Sequence, residues 1–125
     1  MGDLTKNFSA YEFTCKGGNL CCGGSVPMSE RLLEGLQELR DLIGRPVIVS
    51  SGFRCLKYNR RLLSSDSSQH TLGRAADIWV RDMDPNTLAS YAEQIEHFRN
   101  GGIGIYNTFV HVDVRRDISR WRGKL

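Results

Sequence analysis

The sequence lacks features that define several whole classes of protein. It has no apolar run as long as a membrane-spanning helix requires. Its first residues do not combine a basic segment with an apolar one, so we expect no signal peptide, synthesis in the cytoplasm and no membrane span. Internal repeats and linker-like segments are also absent, which predicts a single domain over residues 1–125.

Charge and cysteine usage exclude further classes. The 17 Lys and Arg residues against 14 Asp and Glu residues give a formal net charge of +3. This small excess, without a recognition-helix or aromatic–basic pattern, argues against nucleic acid as a partner. The basic residues between Arg115 and Lys124 are interpreted as a solvated terminal segment. The four cysteines form no Cys-x-x-Cys pair, so we interpret them as small thiols rather than as ligands of a structural zinc, with a bridge to Cys55 as the alternative.

Apolar periodicity and turn residues predict the secondary structure. The predicted elements are a short helix after Ser9, a helix from about Pro27 to Gly44, a buried strand over 47–50, a strand over 75–80, a helix from Asp84 to about Phe98, and a hairpin of strands 102–106 and 109–114. Helices are thus mixed with a small, mainly antiparallel sheet. The sequence therefore predicts an α+β fold in which helices flank the sheet.

The residues suited to chemistry lie in the run 68–77 and around His111. His70 and Asp77 are joined through a glycine and two alanines, and His111 lies on a predicted strand. Two imidazoles, one carboxylate and an open fourth position form a ligand set typical of hydrolytic zinc. The sequence therefore predicts Zn²⁺ bound by His70, Asp77 and His111. Because side chains alternate along a strand, Asp113 points the same way as His111 and is our candidate for the general base.

Arg54 follows the first predicted strand, where it could bind a substrate carboxylate or stabilise an oxyanion. Each candidate also has a structural interpretation when it is taken singly. The alternatives are a loop histidine for His70, a hydrogen-bonded core histidine for His111, an ion pair with Arg115 or Arg116 for Asp113, and a loop brace for Arg54. His97, on a predicted helix, is interpreted as a surface or structural residue.

Three segments carry a resemblance to a known family. They are Ser51-Gly-Phe-Arg54, the run Ser68-x-His70-x-x-Gly73-x-Ala75-x-Asp77, and Gly102-Ile-Gly-Ile-Tyr-Asn-Thr-Phe-Val-His111-Val-Asp113. Together they resemble the zinc D-Ala-D-Ala carboxypeptidase family, which includes L-alanyl-D-glutamate endopeptidases and cuts the peptide part of bacterial peptidoglycan. The chain is most similar to small single-domain forms found in phage and prophage genes.

The resemblance implies a hedgehog/DD-peptidase-like fold, zinc on the three predicted ligands, and a role for Arg54 near the substrate. Ser68, at the start of the run, is assigned to substrate binding. The implied function is a zinc metallopeptidase, such as a phage-type endolysin, that acts as a monomer on peptidoglycan peptides at the bacterial cell wall. The choice between carboxypeptidase and endopeptidase action stays open.

One departure from the family pattern concerns the base. Many relatives place an acidic residue three positions before the last histidine, where this chain has Thr108. The base must then come from elsewhere, and the assignment of Asp113 follows from strand geometry alone. The same departure leaves open an alternative function, a zinc-bearing binding module without peptidase activity, similar to the hedgehog signalling domain.

Overall fold

A computed structural model describes residues 6–8, 29–52 and 73–123 of the chain. The elements in this part are α1 (Glu30–Ile43), β1 (Ile48–Ser51), β2 (Ala75–Trp79), α2 (Pro85–Ala92), α3 (Glu96–Arg99), β3 (Gly102–Ile105), β4 (Val110–Asp113) and β5 (Ser119–Arg122). The short helix predicted after Ser9 lies outside the described residues. No helix in the described part is long and apolar enough to cross a membrane.

Helix α1 follows the predicted pattern. The Ser29 side chain accepts a hydrogen bond from the Leu32 N–H at 3.4 Å, which caps the first turn. The predicted apolar stripe is buried at Leu32, Leu36 and Leu39, each 0% exposed. The helix ends at Gly44, whose φ of 75° is the left-handed conformation of a helix C-cap. This element was predicted because its pattern is local.

The second predicted helix is divided in two. As predicted, Asp84 caps α2, and its carboxylate accepts a hydrogen bond from the Thr87 N–H at 3.3 Å. The prediction of one helix to about Phe98 is wrong, because the backbone becomes extended at Ile95 before α3 begins. The break brings Ile95 and Phe98 into the same core, where they are 5% and 0% exposed.

The five strands of the described part form one sheet in the order β1-β2-β4-β3-β5. All neighbouring strands are antiparallel except β3 and β5, which are parallel. The predicted hairpin is present, and the Tyr106 N–H donates to the Phe109 carbonyl at 3.0 Å across its loop. The α+β class with a mainly antiparallel sheet is confirmed.

Strand β1 differs from its prediction in burial. It is one of the two edge strands of the described sheet, and it buries Val49 while Ile48 remains 39% exposed. The prediction of a buried strand over 47–50 is therefore correct for Val49 and wrong for Ile48. At the sheet edge, one side of such a strand needs no apolar cover.

Strand β5 was not predicted. Its Arg120 and Arg122 are exposed, as expected of a solvated segment, but the strand belongs to the sheet. The Arg120 guanidinium donates to the Glu93 carboxylate through two nitrogens, each at 2.8 Å, and to the Gly101 carbonyl at 2.7 Å. These contacts fasten β5 beside β3. The segment has the basic composition of a solvated terminus, and only its pairing with a distant strand makes it part of the sheet.

The two faces of the sheet carry different kinds of side chain. One face packs against the helices and buries an apolar core: Val49, Ala76, Ile78, Ile103, Val110 and Val112. Residues that alternate with these in the strands point to the other face. That second face carries Asp77, His111 and Asp113, so the packing of the core fixes the positions of these three residues.

Candidate metal centre

Asp77 and His111 lie side by side at the middle of the sheet. They are register partners on β2 and β4, although 34 positions separate them in the sequence. Asp77 Oδ1 lies 3.1 Å from His111 Nδ1, and the two residues are only 5% and 7% exposed. Two of the three predicted metal ligands are therefore adjacent and buried.

Asp113 lies on the other side of the same imidazole. Its Oδ2 is 2.7 Å from His111 Nε2, and the residue is 0% exposed. Its carboxylate also accepts hydrogen bonds from the Gly102 N–H at 2.8 Å and from Arg115 Nη2 at 2.7 Å. Asp113 thus shares a face with His111, as strand alternation predicted. It also forms an ion pair with Arg115, which was the alternative interpretation of this residue.

The charges at this cluster depend on one another. Burial lowers the pKa of His111, but hydrogen bonds and charge from Asp113 and Asp77 outweigh it, so that pKa is raised above its usual value. Burial has the opposite effect on Asp113 and raises its pKa. Hydrogen bonds from His111 and Arg115 outweigh burial and hold that pKa well below its usual range. Asp113 is therefore a carboxylate over the whole neutral range.

Two glycines of β3 provide the space for this cluster. Gly102 is paired with Asp113, and Gly104 is paired with His111. A Cβ atom at Gly102 would overlap the Asp113 carboxylate, and one at Gly104 would overlap the indole of Trp121. The Gly-x-Gly alternation is thus required by close approach of side chains, a known reason for glycine within a strand.

Replacement of Gly104 by alanine is expected to destabilise the protein. The added methyl group meets the Trp121 indole, and overpacking of this kind costs about 1–3 kcal/mol. Urea denaturation followed by circular dichroism measures the loss. Ile103→Val, on the opposite face of the same strand, is the control that removes packing without crowding the indole. An unchanged free energy of unfolding for Gly104→Ala would contradict close packing of the Trp121 indole against Gly104.

Trp121 is a site residue that the sequence analysis missed. Its indole lies against His111 with ring centroids 5.0 Å apart. The residue was included in the basic terminal segment, and its own strand has no apolar periodicity. The available signal was a large aromatic residue within an otherwise charged stretch.

Two groups of the cluster, Asp77 and His111, have donor atoms that zinc binds and a spacing that suits it. Ligands at zinc–ligand distances of about 2.0–2.1 Å in a tetrahedral site lie roughly 3.3 Å apart, close to the 3.1 Å between Asp77 Oδ1 and His111 Nδ1. Metal-binding histidines commonly donate their second N–H to a carboxylate, which is the position of Asp113. Within residues 6–8, 29–52 and 73–123, no group of three or more His, Cys, Asp or Glu side chains is arranged to hold a metal.

The remaining predicted site residues fall elsewhere. His70, Arg54 and Ser68 lie outside the described residues, as do all four cysteines, so their roles stay predictions. His97 lies away from the cluster on α3, with its two nitrogens 3.5 Å from Glu34 and 3.3 Å from Glu38 of α1. Its surroundings are those of a structural residue between two helices.

Comparison with known proteins identifies the family. No curated protein matches the chain. A family model described as Peptidase M15 matches residues 6–113, which include Asp77, His111 and Asp113 and end before β5. This match covers most of the 125 residues. The chain belongs to the peptidase M15 family and is a peptidase.

Proposed function

We propose that this protein is a zinc-dependent peptidase that hydrolyses peptide bonds in bacterial peptidoglycan. The observation that carries the proposal is the orientation of His111. One imidazole nitrogen faces Asp77 at 3.1 Å, and the other contacts the buried Asp113 at 2.7 Å. This arrangement places Nδ1 beside a carboxylate oxygen, and both are donor atoms of the kind that zinc binds.

The proposed ligands are Asp77, His111 and, from the sequence prediction, His70. Zinc held there would supply Lewis acidity at the scissile carbonyl and would make water a nucleophile near neutral pH. His111 must be neutral at Nδ1 to act as a ligand, and its Nε2–H then donates to Asp113. Asp77 contributes an anionic oxygen from the opposite strand.

We propose that Asp113 orients His111 and does not act as the general base of the sequence-based prediction. A base must reach water or substrate within hydrogen-bond distance. Asp113 is 0% exposed, and its oxygens accept hydrogen bonds from Gly102, Arg115 and His111. These contacts suit a group that fixes the tautomer and direction of a metal-binding imidazole.

The proposed substrate rests on family membership and on the resemblance of the sequence motifs. Arg54 is proposed to hold a carboxylate or the developing oxyanion, and Ser68 to contact the peptide. The proposed place of action is the bacterial cell wall. The similarity to small phage forms supports the finer proposal of an endolysin, for which purified protein should lower the turbidity of permeabilised bacterial cells.

The central test is release of new amino groups from purified peptidoglycan. We expect release by the zinc-loaded protein, loss of at least 90% of it after chelation, and recovery when zinc is restored, since the Lewis acid is required for hydrolysis. Inactive protein that still binds one zinc ion would contradict the proposal and favour the binding module. Activity that survives complete removal of metal would exclude zinc dependence.

The products distinguish the two peptidase types. Mass analysis of the soluble fragments identifies free D-alanine for a carboxypeptidase and shortened or separated stem peptides for an endopeptidase. We propose cleavage within stem peptides or cross-links. Release of terminal D-alanine alone would restrict the function to that of a carboxypeptidase.

A further inference from the structure

Strand β5 is held firmly even though it follows the part of the chain that the family model matches. Besides its contacts with Glu93 and Gly101, Arg120 donates to the Arg99 carbonyl at 2.8 Å. Arg122 donates to Asn86 Oδ1 at 3.0 Å. The arginines of β5 therefore form hydrogen bonds with groups on the helix side of the sheet.

Strand alternation sends Trp121 to the opposite face, where Asp77 and His111 lie. Trp121 is the register partner of Gly104, and Gly104 is in turn the partner of His111 on β4. Because Gly104 has no side chain, the indole extends across β3 and reaches the imidazole. The two ring centroids are 5.0 Å apart with an angle of 52° between the planes.

The indole is itself fixed on other sides. Its Nε1–H donates to the Tyr106 hydroxyl at 3.0 Å. The Arg115 guanidinium carbon lies 5.1 Å from the ring centroid, a cation–π contact. The same guanidinium binds the Asp113 carboxylate that contacts His111. Trp121 therefore belongs to one connected cluster with Arg115 and with Asp113, the carboxylate that contacts His111 Nε2.

We infer that Trp121 is a positioning residue for the metal-binding imidazole of His111. The contacts of its two nitrogens with Asp77 and Asp113 set the direction of the ring edge, and the indole limits the tilt of the ring plane. The indole also covers part of the Arg115 guanidinium that binds the buried Asp113 carboxylate. This inference rests on the zinc site proposed above, and it assigns a role to a strand that the family match does not include.

The test measures zinc affinity by competition with a chromophoric chelator. The zinc that His111→Ala still binds is taken as binding outside this site and is subtracted. Loss of a residue that supports a metal ligand typically weakens affinity about 10–100-fold, and we expect at least tenfold for Trp121→Ala. Trp121→Phe, which keeps an aromatic face, should remain within about threefold of the parent protein.

Two controls separate positioning from general stability. Trp79→Ala is the matched variant, because Trp79 is the other tryptophan and lies on the same face two residues after Asp77. Its zinc affinity should be unchanged. Arg120→Gln weakens the attachment of β5 but keeps the indole. It should lower the free energy of unfolding, while its zinc affinity falls less than that of Trp121→Ala.

Fluorescence gives a second readout that does not need the alanine variant to fold. In Trp79→Phe, Trp121 is the only tryptophan, and Co²⁺ binding should quench most of its emission. In Trp121→Phe, the emission of Trp79 should be quenched less. Unchanged zinc affinity in Trp121→Ala, or equal loss in Trp121→Ala and Arg120→Gln, would overturn the inference. If His111→Ala binds as much zinc as the parent protein, the proposed zinc site is overturned instead.

Discussion

Replacement of His111 by alanine is expected to abolish metal-dependent hydrolysis. The substitution removes the ligand atom that faces Asp77 and leaves Asp113 with no imidazole to orient. Loss of the metal removes several kcal/mol of transition-state stabilisation, and about 4 kcal/mol corresponds to a roughly 10³-fold lower rate. The measurement is release of amino groups from peptidoglycan, together with zinc content determined after dialysis.

His97→Ala is the matched control for this substitution. It removes another histidine of the same chain, one that contacts Glu34 and Glu38 and lies on the helix side of the molecule. We expect its activity and zinc content to remain close to those of the parent protein. Equal loss in both variants, or full zinc content in His111→Ala, would contradict the proposed site.

Replacement of Asp113 by alanine is expected to damage stability as well as metal binding. The variant leaves the Arg115 guanidinium and the Gly102 N–H without their acceptor. Removing one partner of a buried ion pair costs about 3–5 kcal/mol. Because Arg115 is 30% exposed and can reach water, we expect a loss of about 3 kcal/mol. Urea denaturation of metal-free protein measures it.

Asp113→Asn separates an orienting role from that of a base. The amide keeps the shape of the carboxylate but loses its charge, so it supports His111 less well. If Asp113 orients His111, zinc affinity falls about 10–100-fold and saturating zinc restores most of the activity. If Asp113 is the base, zinc affinity is kept while kcat remains low at every zinc concentration. The second result would restore the base assignment made from the sequence.

The sequence by itself determined the local elements. Ser29 and Gly44 mark the ends of α1, and Asp84 with Pro85 marks the start of α2, because caps act through neighbouring backbone groups. The hairpin of β3 and β4 was also predictable from its short loop. Strand alternation then placed His111 and Asp113 on one face without any knowledge of the fold.

Other features were decided only by the tertiary structure, because they depend on pairing between distant segments. The adjacency of Asp77 and His111 is set by the register of β2 against β4. The occupied oxygens of Asp113 follow from Gly102 on the neighbouring strand and from Arg115. Trp121 reaches His111 because β5 joins the sheet beside Gly104, in a segment whose basic composition indicates only a solvated terminus. The sequence thus determined which residues can act, and the sheet decided which of them meet.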